Sequence, residues 1–251
     1  MKFDLWRRFS VELSIKNRIV GGIPTDPELI KGWIEANVPA VDEAQKEKLA
    51  AATLADVQAH TDEKSEKMWT TFKKDSLGPY TESRCVKAML KEAANVLREL
   101  LIKEEAASKK ADAKAAGTDF KAEKSRYTNL KAKLAERLFV EDEIIHIIRD
   151  GKVLAKVDGD EERPIHVITA QGPRSALKKV DFIKAPAVLK FNVRFLKDGV
   201  IDEDLLRTLF EYSGYNGFGS DRSQGNGLFE LTALSEIKPL EKEHKEMKVK
   251  A

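Results

Sequence analysis

The chain has 251 residues, 34% of them charged and 7% aromatic, with 44 Lys/Arg against 42 Asp/Glu for a net charge of +2. That length supports one elaborated domain or two small ones, and the near-neutral balance excludes a nucleic-acid partner held by bulk charge, so any basic surface must be local. A single cysteine, Cys85, excludes an internal disulfide, and no apolar run approaches the ~18 residues of a membrane span. With no signal-peptide core near the N-terminus, these features predict a soluble, cytoplasmic protein.

In chain order, residues 9–16 alternate, with Val11, Leu13 and Ile15 on one face and Ser10, Glu12 and Ser14 on the other, the period of a half-buried strand. Gly21-Gly22 ends it, and Pro27 is placed for the first turn of a helix carrying Leu29, Ile30, Trp33 and Ile34. A second helix is predicted from Asp42 into the region of Trp69, and Trp33 and Trp69 read as helix core. Residues 73–81 read as a connector.

The next helix has an apolar stripe of Val86, Met89, Leu90, Ala93, Val96, Leu97, Leu100 and Leu101, with Arg84, Lys87, Lys91 and Arg98 on the other side as a cationic ridge. Cys85 lies within it as a packed thiol. Between Arg84 and Arg137 there are 14 Lys/Arg against 8 Asp/Glu, so this stretch is basic although the whole is not. Residues 103–136, rich in Ala, Lys and Glu, read as a projecting helical hairpin or a partly disordered insertion, with Leu130, Leu134 and Leu138 able to pack it back onto the body.

From residue 139 the period changes. Ile144, Ile145, Ile147 and Ile148, then Asp150-Gly151, then residues 153–157 predict a hairpin. Residues 163–170 read as a further strand, 171–175 as a polar turn carrying Arg174, and the acidic cluster 158–162 as a hairpin-end turn without EF-hand register. Residues 188–196 place Leu189, Phe191, Val193 and Phe195 inward and Lys190, Asn192 and Arg194 outward. A helix capped by Asp202 follows, then a loop holding five of the chain's 14 glycines, a last strand at 228–234 and a charged tail. Helix, glycine loop, strand is the reverse of a nucleotide-binding P-loop or dinucleotide fingerprint, and Gly-Lys-Ser/Thr is missing. The loop's Arg222, Ser223 and backbone amides suit an extended phosphate backbone.

Without insertions the order is βαββαβ, predicting an α+β, ferredoxin-like or RRM-like core. The core would comprise residues 1–26, 80–102 and 139–235, with a helical insertion at 27–79, a basic thumb-like insertion at 103–138 and a tail at 236–251. His60, His146, His166 and His244 form no pair with a nucleophile and no ligand cluster with Cys85, so no metal or cofactor is predicted. His146 reads as a core or sheet-face residue and His166 as the best histidine candidate for a general base.

Three stretches resemble one family, the RAMP proteins of CRISPR effector complexes, and in particular their RNA-lining backbone subunits. Gly217-Phe-Gly219-Ser-Asp-Arg222-Ser223-Gln-Gly225-Asn-Gly227 is similar to the family's C-terminal glycine-rich loop. Tyr80-Thr-Glu-Ser-Arg84-Cys85-Val86-Lys87-Ala88-Met-Leu-Lys91 resembles its helix start, with Glu82, Ser83 and Ala88 where the pattern has proline or glycine and Lys87 and Lys91 keeping its cations. Gly21-Gly22 matches the close of its first strand.

The resemblance implies a subunit of a ribonucleoprotein in antiviral defence. It would clamp the sugar-phosphate backbone of a single-stranded guide RNA through Gly217, Gly219, Arg222, Ser223, Gly225, Gly227, Arg84, Lys87, Lys91 and Arg174, beside copies of itself and other RAMP subunits. In target-cleaving relatives an aspartate after the first strand assists cleavage, which makes Asp26 the counterpart candidate. The alternatives are a RAMP-like endoribonuclease and a structural interaction subunit that binds no RNA.

Overall fold

The computed structural model describes residues 5–28, 30–32, 42–59, 69–119, 124–169 and 172–237. Its main sheet is built around β1 (Trp6–Ile15), whose alternation buries Phe9, Val11, Leu13 and Ile15. β1 pairs antiparallel with β12 (Ala187–Leu196) on one side and β13 (Phe229–Glu236) on the other. Beyond β12 lie β7 (Leu138–Val140) and β8 (Ile144–Arg149), also antiparallel. Taking β7 and β8 as the second core strand, the spatial order is fourth, first, third, second, which is the ferredoxin-like arrangement. The α+β fold expected of the sequence is the fold observed.

Two helices cover one face. The first, Ser83–Ala115, here α2 after α1 (Glu43–Ala59), is 33 residues long and buries Val86, Met89, Leu90, Ala93, Ala94 and Leu101. Val96 and Leu100, expected in that stripe, are exposed, because they fall on the flank turned away from the sheet. A short return helix α3 (Leu130–Arg137) buries Leu130 and Leu134, and Leu138 follows them into the core. Within the basic stretch the two helices pack on one another, with residues 120–123 outside the described set. In α4 (Glu203–Asn216), Asp202 caps the start by accepting from Leu205 N at 2.9 Å, and Leu205, Leu206, Leu209 and Phe210 are buried.

Three expectations are corrected. Trp69 lies on a short strand, β4 (Trp69–Thr71), rather than on a helix, and residues 60–68, like Trp33 and Ile34, fall outside the described set. The connector after it holds β5 (Lys73–Lys74) and β6 (Pro79–Glu82), which extend the main sheet beyond β8. Residues 159–162 of the acidic cluster and 172–175 of the expected turn lie instead in the strands of a long hairpin, β10 (Gly159–Thr169) and β11 (Gly172–Lys184), with residues 170 and 171 outside the described set. This hairpin heads a second sheet with β4, β3 (Ile23–Pro24) and β2 (Arg18–Val20). The Asp150-Gly151 turn is present, with both residues at positive φ, between β8 and a two-residue β9 (Lys152–Val153).

Candidate functional site

The three stretches singled out in the sequence meet. Gly22 after β2, the β6–α2 junction at Tyr80–Glu82, Arg84, Ala88 and Glu92 of α2, and Gly217–Ser220 with Arg222 of the glycine loop line one half-open cavity of about 360 Å³. Each arrives by simple geometry. The chain leaving β1 passes through β2 and brings Gly22 to the place where α2 begins and α4 ends, and the glycine loop leaving α4 lies over both helix ends.

The loop is compact rather than slack. Gly217 N, Phe218 N, Gly225 N and Gly227 N donate to Ser213 O, Gly227 O, Arg222 O and Arg18 O at 2.7–2.8 Å, and Arg222–Gln224 form a single helical turn. Its glycines serve this self-packing: a Cβ on Gly227, at φ 78°, would stand 1.9 Å from Phe218 O. Gly21 is similarly required, since a Cβ there would meet Thr71 C at 2.3 Å, where the chain leaving β2 meets β4 in the same sheet. Of the loop amides expected to suit a phosphate backbone, these four are bonded within the protein.

Asp221, at φ 56°, anchors the loop to the second sheet. Its carboxylate accepts from Lys178 Nζ at 2.9 Å and from Arg163, whose other terminal nitrogen reaches Gln224. Arg18 ties the far side, donating to Asn226 Oδ1 at 2.8 Å and to Glu161.

Cations at the cavity come with carboxylates. Arg222 Nη1 donates to Glu92 Oε2 at 2.8 Å, and Asn216 Nδ2 donates to Glu92 Oε1 at 3.1 Å. Burial pushes the Glu92 carboxyl up, but those bonds together outweigh it and hold the group below its ordinary value. Arg84 donates to Glu82 Oε2 at 2.8 and 2.5 Å. Lys73, from β5, bridges Asp56 at 2.6 Å and Glu82 at 3.3 Å. Burial pulls the Lys73 ammonium down, yet the two carboxylates raise it on balance, so it stays charged. The result is an ordered array of guanidinium and ammonium groups, each held in place by an acidic partner.

Of the residues named from the sequence, Gly217, Gly219, Arg222 and Arg84 line the cavity. Ser223, Gly225 and Gly227 lie in the same loop but not on that wall. Lys87 turns away: its ammonium sits 4.5 Å from the Phe139 ring centroid at the edge of the sheet, and burial, then Lys91, lower its pKa. Arg174 stands on β11 opposite Val167, and His166 on β10 opposite Ser175. Asp26 caps a helical turn, its Oδ1 accepting from Glu28 N at 2.9 Å. His146 is a sheet-face residue bonded to Asp75 at 2.9 Å. Lys73, Glu82 and Glu92 were missed, Lys73 because it lay in an apparent connector and the acids because they sit in a basic stretch.

No family model matches the chain, and no curated protein matches it. Among solved structures, the chain is similar to one from the cryo-electron-microscopy structure of a Type III-B Cmr-beta bound to cognate target RNA, with 14% identity and a TM-score of 0.40. The match covers 93% of this chain and 61% of the other, so this chain spans about three-fifths of that neighbour's length. No helix among the described residues is long and apolar enough to cross a membrane.

Proposed function

We propose that this protein is a RAMP-like, RNA-binding subunit of a CRISPR-type ribonucleoprotein, and that the cavity under the glycine loop grips the RNA sugar-phosphate backbone without reading sequence. The observation that carries this reading is the convergence of Gly22, the β6–α2 junction and the glycine loop, the first and last of them more than 190 residues apart in the chain, on one cavity bordered by Arg84, Arg222 and Lys73. Guanidinium groups beside a tightly turned backbone are a chemistry for phosphate oxygens, which can replace the carboxylates now holding them. Guide RNA is the proposed ligand. Further copies of the chain and other RAMP subunits are the proposed neighbours.

The test is binding of a labelled single-stranded 20-mer, followed by anisotropy across a salt series. If about 4 to 6 phosphates are neutralised, log K falls with log salt at a slope near −3 to −4, using ~0.7 per phosphate. Arg84→Ala with Arg222→Ala lowers affinity about tenfold for every sequence and reduces the slope by about 1.4. A second reading, a seat for a partner protein, is favoured by the existing pairing of Arg84 and Arg222 with Glu82 and Glu92. RNA binding unaffected by the double variant would favour it.

A further inference from the structure

The main-sheet face opposite the helices is polar along the middle of β1 and β12, where Ser10 and Lys190 are exposed and Glu12 and Asn192 half-buried. At one corner it changes. Trp6 of β1 and Phe139 of β7 meet edge to face with centroids 5.6 Å apart. The register sets Arg194 of β12 opposite both Phe139 and Arg8, and its guanidinium lies 5.0 Å from the Trp6 centroid and 5.7 Å from that of Phe139. Lys87 reaches the same Phe139 ring from α2. Arg8 binds Glu141 with both ends of its guanidinium, at 3.0 and 2.5 Å.

Trp6, Arg8, Phe139, Glu141 and Arg194 border a shallow cavity of about 460 Å³ that shares no lining residue with the one under the glycine loop, and Lys87 stands beside it against the Phe139 ring. The side chains of Arg8 and Arg194 are 49% and 45% exposed, so the cationic layer faces water rather than filling core. Three cations stand against two carboxylates, and both acids are engaged: Glu141 by Arg8, and Asp142 by Asn192 N at 2.5 Å. An acidic peptide would use the cations and waste the rings; an apolar segment would do the reverse. A nucleobase uses both, stacking on an aromatic or guanidinium plane while its phosphates meet the flanking charges.

We propose that the Trp6–Phe139–Arg194 corner is a second nucleic-acid site, where a base of a single strand stacks and Arg8 and Lys87 meet its phosphates. This rests on the RNA reading above and extends it from backbone to base. Lys87, which the sequence grouped with Arg84, belongs here.

The experiment compares a 20-mer oligoadenylate with an abasic 20-mer of the same length, monitoring binding by anisotropy and Trp6 by intrinsic fluorescence, taken as wild type minus Trp6→Phe. The expected result is that both probes bind and only oligoadenylate quenches Trp6. Arg194→Ala, a change on an exposed side chain, should then remove the quench and weaken oligoadenylate binding by about tenfold while leaving the abasic strand unchanged. Binding of both probes with no Trp6 quench, or equal losses for both in Arg194→Ala, would overturn the base site and leave the backbone reading standing. If neither probe binds, both readings fail.

Discussion

The two sheets of this molecule are held together by different forces. In the main sheet Phe9, Leu13, Leu189, Val193 and Phe195 are at most 0% exposed, and Phe9 and Phe195 stack with centroids 5.5 Å apart. The second sheet buries Ile19, Val20, Val180 and Ile183 as well, and adds to them a dense set of polar contacts. Trp69 Nε1 donates to the buried Asp181 at 2.9 Å, Thr71 donates to the same carboxylate, Lys179 pairs with Asp160 at 3.3 Å, and Arg163 and Lys178 converge on Asp221. Ion pairs are screened by salt and lost as their carboxylates protonate, and neither effect acts on apolar burial. The glycine loop is stretched between the two, its ends in the dry core and its middle fastened to the charged sheet. The core cluster, to which Ile19 and Ile183 of the second sheet also belong, therefore sets whether the protein folds, and the second sheet's ion pairs bear on how well the loop is ordered.

Core truncation should give the largest effect. Phe195→Ala removes a fully buried ring at the centre of the main sheet and is expected to cost about 3–5 kcal/mol of global stability in urea denaturation. Asp221→Asn should divide the molecule instead. Its partners are mostly but not wholly buried, so the loss is about 2 kcal/mol, between the figures for buried and exposed pairs. Hydrogen exchange should quicken at residues 222–227 while protection in β1 and β12 is unchanged; uniform quickening would show that loop and core unfold as one.

A smaller, pH-dependent effect is expected where the two sheets join. Asp158, at the start of β10, accepts from both ends of Arg149 of β8 at 2.7 and 2.6 Å and from Lys184 N at 2.7 Å. The Arg149 hydrogen bond, against the opposing effect of burial, holds its carboxyl below the ordinary value. A depressed carboxylate stabilises the fold above its unfolded pKa, about 3.9, and that contribution is lost as pH falls through the lower folded value. The melting temperatures of wild type and Asp158→Asn should differ at pH 6 and converge below about pH 4. The smallest change is in binding: Glu92→Gln removes the acid that competes for Arg222, and RNA affinity should rise a few-fold. A fall would mean that Glu92 positions the guanidinium for the ligand.

The same division explains what was legible in the sequence. β1 and β12 alternate cleanly because one face meets helices and the other water, and α4 announces itself through Asp202 and its leucines. Of the β10–β11 hairpin, only the second half of β10, within the strand expected at 163–170, gives such a signal. Glu161, Glu162, Lys178 and Lys179 make poor strand residues by pattern, and their pairing across strands was invisible until the register placed Glu162 opposite Lys179. The cavity was half legible: glycines and arginines stand out in a chain, but the acids that fix them look like the rest of a charged helix. Trp6 lies three residues before the first alternating segment that was recognised, and its neighbours Phe139 and Arg194 come from more than 130 residues away, so the corner they form had no local signature.

Helix α2 runs on after its last buried residue, Leu101, to Ala115. At 1.5 Å per residue that is about 21 Å of rod. Glu105 secures its lower part, accepting from Ser125 and pairing with Lys109 at 3.2 Å. Because the rod is continuous with the segment that positions Arg84 and Glu92, its tip is at a fixed distance from the cavity. Anything that touches the tip is held at a measured spacing from whatever the cavity grips, as by a ruler and not by a tether.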